Sequence, residues 1–264
     1  MIRDITIGQY YPADSVVHKL DPRVKLFATM IYIIALFSYK GIAGVLFIVA
    51  ALAAVIKISK VPFKFMVKGL KSIIILLLFT ACFSVFFTQG EYTIWEYGIL
   101  HISDTMMIRL VLLIIGTSLM TLTTTPNQLT DGLEKSLGFL NKIHVPVHAI
   151  AMMMSIALRF IPILIEETDK IMKAQMARGA DFEHGNIIKR AKSMVPLLVP
   201  LFVSAFRRAD DLAMAMEARC YNGGEGRTKM KPLVYEKDDK IAYLFIFAFL
   251  AVVIVLRILL PVNL

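Results

Sequence analysis

An all-α, polytopic membrane protein with about five transmembrane helices is the fold class that this sequence predicts, on three observations. Hydrophobic residues make up 58% of the 264-residue chain, and the mean hydropathy is +0.70. Soluble domains sit near ~45–50% apolar. Five long apolar stretches run at 24–39, 42–56, 70–88, 105–122 and 241–260. Between the fourth and fifth lies 123–240, a basic and partly amphipathic region that does not read as an ordinary loop.

The opening "MIRDITIGQYYPADSVVHKLDPRVK" has basic residues followed by polar residues and prolines. No small-residue cleavage site ends a first apolar run, so it is expected to be a cytoplasmic flank rather than a signal peptide. A helix needs roughly 20 residues to cross the hydrocarbon. The first two stretches are short, and "SYKGIAG" between them suits a tight hairpin whose basic or amphipathic flanks extend each helix. The third and fifth are long enough as they stand.

Charge orients the spans. "KISKVPFKFMVKGLK", 57–71, carries five lysines and no acid, whereas 89–104 carries Glu91, Glu96 and Asp104 with no Lys or Arg. The positive-inside bias places the first loop in the cytoplasm and the second outside, with Trp95 and Tyr97 at the outer interface. The N-terminus is then cytoplasmic, and so is 123–240, which holds 17 of the 29 Lys and Arg residues. The net charge of +9 is thereby explained by topology. No nucleic-acid recognition motif accompanies it.

In the middle region, "TTTPNQLTDGLEKSLGFLNK" opens with cap residues and a proline. It then places leucines at 129, 133, 137 and 140, one face of an amphipathic helix. "HVPV" breaks it, because a residue before proline is biased out of the helical region. "VHAIAMMMSIALRFIPILIEETDKIMKAQMARGAD" reads as one long helix, bent near Pro162 and finished by Gly179 as a C-cap. In the next segment the uninterrupted apolar core, Met194 to Phe206, has 13 residues. At 1.5 Å per residue it reaches only ~20 Å, short of ~30 Å of hydrocarbon. A helix buried against neighbouring protein, or lying near the inner leaflet, is expected, with a crossing the alternative if its polar ends snorkel.

These two helical segments match under a shift of 41 residues: Asp169 falls on Asp210, Ala174 on Ala215, Ala177 on Ala218 and Arg178 on Arg219. Each ends in an arginine followed by a small residue. A guanidinium offers five donors on a rigid fork suited to carboxylates and carbonyls. An arginine that merely complements a helix dipole contributes only ~0.3–1 kcal/mol. Two such tips favour docking onto a partner with two similar receiving surfaces.

The chain resembles the transmembrane T component of energy-coupling factor (ECF) transporters, importers related to ABC transporters. Three features carry the resemblance: the N-terminal signature Leu20, Asp21, Pro22, Arg23 and Lys25; Ala177-Arg178-Gly179; and Ala218-Arg219-Cys220 running into "YNGGEGRT". In the family the T component joins two cytoplasmic ATPases, which bind ATP and Mg, to a membrane S component that binds the substrate. The resemblance implies that 123–222 forms three long cytoplasmic coupling helices whose arginine motifs each meet one ATPase. It divides the chain into an N-terminal segment and four spans (1–122), coupling helices (123–222), a linker (223–240) and a last span (241–260). The C-terminus falls outside, and the chain itself binds no cofactor and no metal. Its partners are two identical or homologous ATPases, one S component for a vitamin or other micronutrient, and membrane lipid. Cys220 departs from the family's glycine, and Gly223 and Gly224 are expected to supply the turn instead. Met152, Met153, Met154, Met172, Met176, Met194, Met214 and Met216 concentrate in the coupling region. Unbranched thioethers there suit shifting or interchangeable contacts, against core filling as the plain alternative.

Other functions lack a site. No HExxH, CxxC or glycine-rich nucleotide motif occurs. His144 and His148 have Pro146 between them, which argues against a shared helical face. Glu166, Glu167 and Asp169 are expected to pair with the basic tips or to mark the end of an apolar segment. A stand-alone secondary transporter would place charges near the membrane midplane. Arg109 stands inside a predicted span, near one end where it can snorkel. A conventional ABC permease would have one coupling segment where two occur here. Cys82 and Cys220 are not expected to form a disulfide.

Overall fold

The computed structural model describes residues 10–38, 42–62, 65–66, 79, 99–180, 182, 187–223, 230 and 232–259, and for 42–43, 99–107 and 187–193 the backbone alone. The described elements are helical: α1 (Val16–Lys19), α2 (Pro22–Ser38), α3 (Ile42–Ser59), α4 (Ile99–Thr123), α5 (Pro126–Ser136), a 3-10 segment (Gly138–Ile143), α6 (Val147–Ala177), α7 (Ile187–Glu217) and α8 (Lys237–Leu259). The protein is thus all-α and polytopic. Two helices, α6 and α8, are long and apolar enough to cross a membrane, and a bent pair formed by Ile108–Thr123 and α5 makes a third candidate. All of the predicted span at 70–88 but residue 79, and most of the 89–104 loop, lie outside the described residues.

One compact unit comprises Gly8–Ser136 and Leu233–Leu264. Its core joins Leu36 of α2, Ile48 and Leu52 of α3, and Leu112, Ile115, Leu119 and Leu122 of α4. A second cluster sets Ala35 against Val253 of α8, and Phe47 stacks on Phe249 at 5.6 Å. At Gly116 the helices approach so closely that the Tyr32 ring occupies the space of a Cβ. The Tyr32 hydroxyl donates to the Leu112 carbonyl at 2.7 Å, which pins the ring there.

α4 and α5 meet at 103°. The second helix starts with a capping box: Thr125 N–H donates to Gln128 Oε1 at 3.1 Å, Gln128 N–H donates to Thr125 Oγ1 at 3.3 Å, and Pro126 takes the first helical position. The carbonyls ending α4 are capped from elsewhere. Tyr11 N–H donates to Leu122 O at 2.9 Å, and Lys25 Nζ donates to Thr123 O at 2.9 Å. The amphipathic helix expected through 140 stops at Ser136, and Gly138 opens the 3-10 segment instead.

Arg109 departs from its expectation. Its side chain is buried rather than snorkelling along a helix surface. In the same unit, buried His18 bridges Ser15 and the Tyr11 carbonyl, 2.7 and 3.0 Å away. Burial pushes its pKa below the ordinary value, so near pH 7 it is neutral with the proton on Nε2, facing the carbonyl.

The other unit is built on Leu137–Pro232. α6 contains Pro162 without ending there, as expected, and α7 contains Pro196 and Pro200. These two 31-residue helices pack with opposite direction along their contact: Glu167 pairs with Arg208 at 3.1 Å, and Gln175 Nε2 donates to the Pro196 carbonyl at 3.4 Å. Pro200 has no N–H to offer the carbonyl four residues before it, so the Gln175 amide supplies the missing donor. Glu167 therefore pairs within the helix pair and not with an arginine tip. Its partner Arg208 projects from the facing helix, which local sequence spacing does not reveal.

Candidate functional site

The ends of α6 and α7 carry the same hydrogen-bond pattern under the 41-residue shift. At the first, Gly179 N–H donates to Met176 O at 2.9 Å and Ala180 N–H donates to Gln175 O at 3.0 Å. At the second, Cys220 N–H donates to Glu217 O at 2.8 Å and Tyr221 N–H donates to Met216 O at 3.0 Å. Both are Schellman caps, in which the residue after the cap turns left-handed and two backbone amides satisfy the last carbonyls. Arg178 and Arg219 occupy the same cap position. Their side chains are exposed, and no hydrogen bond or ion pair engages either guanidinium among the described residues.

That geometry separates the two roles weighed for these arginines. The helix ends are closed by backbone amides, so neither guanidinium is needed to cap carbonyls. Each fork projects with its donors available to another molecule. Ala177 and Ala218, both exposed, keep the surface beside each fork low.

The turn at the second tip corrects one expectation. Cys220 itself takes the left-handed conformation, φ 56°, where Gly179 has φ 88°. Gly223 also has a positive φ of 78°, but it lies beyond the cap and does not replace Cys220 in it. A side chain in this conformation costs ~1 kcal/mol relative to glycine. Cys220→Gly is therefore expected to strengthen the second cap, and Gly179→Ala to weaken the first, where the obstacle is backbone strain because a Cβ meets nothing within 4 Å. Hydrogen exchange at the Tyr221 and Ala180 amides reads both, with shifts of roughly fivefold in opposite directions. Unchanged exchange in both variants would show that neither left-handed residue holds its cap.

The N-terminal signature lies in the other unit and is mostly buried. Asp21 caps α2: its Oδ1 accepts from Arg23 N–H at 2.9 Å, and Pro22 occupies the first helical turn. Arg23 grips the same carboxylate through Nε at 3.0 Å and Nη2 at 2.7 Å, and lies 3.9 Å over the Tyr235 ring. Lys25 Nζ donates to the carbonyls of His18 at 3.0 Å and Thr123 at 2.9 Å. Pro22 packs against Gly132 of α5, where an added Cβ would lie 3.0 Å from the proline Cβ. Leu20 closes α1 by donating its N–H to Val16 O at 3.2 Å.

Asp239 is the residue that sequence inspection missed. It is buried in the first turn of α8, and its Oδ1 accepts from Asp21 N–H at 2.8 Å while its Oδ2 accepts from Glu236 N–H at 2.8 Å. The available signal was local: an acid at the third helical position, where a carboxylate can reach back to the capping amide. No group of three or more His, Cys, Asp or Glu suited to a metal occurs among the described residues.

Five of the eight middle-region methionines, Met153, Met154, Met176, Met194 and Met214, are exposed, so core filling does not account for them. Val195, Leu198, Val199, Phe202, Val203 and Phe206 of α7 are exposed as well. The helix expected to lie against neighbouring protein or near the inner leaflet thus presents an open apolar face within this chain.

The family model of the cobalt transport protein CbiQ matches residues 13–230. The energy-coupling factor transporter transmembrane protein EcfT of Clostridium kluyveri is 55% identical over 266 residues, covering 98% of each chain. Its counterpart in Thermosediminibacter oceani is 51% identical, covering 92% of this chain and 94% of that one. The Bacillus subtilis protein of the same name is 45% identical, covering 97% and 100%. With relatives this similar matched end to end, the chain belongs to the EcfT family of energy-coupling factor transporter transmembrane proteins.

Proposed function

We propose that Arg178 and Arg219 each seat in a groove of one of two cytoplasmic ATPase subunits, and that α6 and α7 carry the resulting displacement to a membrane S component. As an EcfT-family protein the chain is the non-catalytic transmembrane coupling subunit of an ECF-type importer. The observation that carries the docking role is the equivalence of the two tips: two caps with the same hydrogen-bond pattern, each closed by backbone amides without its guanidinium, each presenting a fork that nothing engages among the described residues. ATP binding and hydrolysis change the separation of the ATPases, which moves both tips. The exposed apolar and methionine-rich faces of α6 and α7 suit an S component, because adaptable thioethers tolerate interchangeable partners.

The topology that serves this function has five spans: α2, α3, the 70–88 segment, α4 and α8. The coupling part is α5, α6 and α7. The N-terminus is cytoplasmic and the C-terminus external, from the lysines of 57–71 and the parity of the spans. Although α6 is apolar enough to cross, a crossing would carry Arg178 away from the side on which α4 delivers the chain. Cysteines at 180 and 262, in a background without Cys82 and Cys220, test this. Residue 180 should label only from the cytoplasm and residue 262 only from outside. Labelling of 262 from the cytoplasm contradicts the five-span count.

Purification from native membranes tests the assembly. The chain should bring down two ATPase subunits and one small membrane protein. Transport by this chain alone in liposomes would contradict the coupling role.

A further inference from the structure

We infer that Asp21, Arg23 and Asp239 form an internal clamp that couples the chain arriving from the Arg219 tip to the last membrane helix. The inference rests on the coupling function proposed above and assigns the N-terminal signature a part in it. Three segments converge at the clamp. Asp21 and Arg23 belong to the start of α2, Asp239 to the start of α8, and Leu233 to Glu236 to the chain just ahead of α8.

Each member is shared between segments. Asp239 divides its carboxylate between two backbone amides, Asp21 N–H and Glu236 N–H, both at 2.8 Å. One oxygen closes its own helix while the other ties that helix to α2. Arg23 divides its guanidinium in the same way. Nη2 donates to Asp21 Oδ2 at 2.7 Å and to the Leu233 carbonyl at 3.3 Å, and the guanidinium lies over Tyr235. The Asp21 side chain is 3% exposed and that of Arg23 16%, so this ion pair works largely out of water.

The consequence is mechanical. After the second tip, Leu233 is the first of the described residues gripped by the signature, and Asp239 follows it at the head of α8. In chain order the Arg23 grip thus stands between the Arg219 arm and the membrane helix. A neutral amide at 239 offers one acceptor where two are used, and sets an NH2 group against a backbone N–H. A lysine at 23 keeps the charge but cannot hold a carboxylate with two donors and a carbonyl with the same planar group.

The test uses the complete reconstituted complex, with Asp239→Asn, Arg23→Gln, Arg23→Lys and Tyr235→Leu. Three readouts are taken: ATPase subunits retained, ATP hydrolysed, and substrate taken up per ATP. Retention and hydrolysis are expected to stay near wild type. Uptake per ATP is expected to fall ~2- to 30-fold, most in Asp239→Asn and Arg23→Gln and less in Arg23→Lys. Tyr235 is exposed, so Tyr235→Leu keeps the test open if a buried variant does not fold, and should lose about twofold. Wild-type uptake per ATP in the assembled variants overturns the inference. So does a loss of uptake that tracks loss of assembled complex one for one, because the clamp would then serve folding alone. Failure of the docking role is distinguishable, since it appears as full ATPase retention when Arg178 and Arg219 are both replaced.

Discussion

Replacing both Arg178 and Arg219 by alanine is expected to release the ATPase subunits or to uncouple hydrolysis from uptake. Truncating one partner of a desolvated charged pair costs ~2–5 kcal/mol, partly because the other partner is left unpaired. One such loss weakens an arm, and two remove both. Each single variant should lower uptake while the remaining arm still holds the complex. The helix ends themselves should survive, because the carbonyls of Gln175, Met176, Met216 and Glu217 are capped by backbone amides. Lysine at either position should rescue poorly, since a point charge on a flexible stem does not copy a bidentate fork. Were the arginines only complements to the helix dipoles, each change would cost ~0.3–1 kcal/mol and lysine would serve almost as well. Uptake and ATPase retention across the two single alanines, the double alanine and the two lysines distinguish these outcomes.

Lys25→Met should destabilise the protein more than any other single change in the signature. The ammonium is buried and donates to two carbonyls, His18 O at 3.0 Å and Thr123 O at 2.9 Å. Methionine matches the stem but donates to neither. A buried polar group left without its partner costs ~1–3 kcal/mol, so two carbonyls together imply a loss on the order of 3–5 kcal/mol. The Thr123 carbonyl also ends α4 at its bend into α5, so the damage should concentrate there. Lys19→Met is the control, because Lys19 is exposed and its loss should stay within about 0.5 kcal/mol. Denaturant unfolding in mild detergent compares the two. Equal midpoints for both variants would show that Lys25 does not hold this junction.

What the sequence made legible was local. The stretches 24–39, 42–56 and 241–260 fall on α2, α3 and α8, and 105–122 falls inside α4, because hydropathy and length report a helix directly. Gly179 was legible as a C-cap since its chemistry is its own. The equivalence of Arg178 and Arg219 was legible as a shift between similar segments. Cys220 was not, because nothing in a cysteine announces a left-handed backbone. Its conformation follows from the cap that it completes. The clamp was least legible: the bond from Asp21 to Asp239 joins residues 218 apart in the chain, and periodicity carries no information about which helix ends meet. Glu167 illustrates the same limit, with its partner on the next helix rather than along its own.

The central claim is that both arginine tips touch the ATPases, and photocrosslinking tests it most directly. A photoreactive residue is placed at Ala177 or at Ala218, each exposed beside its arginine, in the complete complex. Both positions should capture an ATPase subunit, each with one dominant adduct, and Arg178→Ala or Arg219→Ala should abolish the adduct at its own tip alone. Adducts confined to lipid or to the small membrane subunit at either position would contradict the docking of that tip.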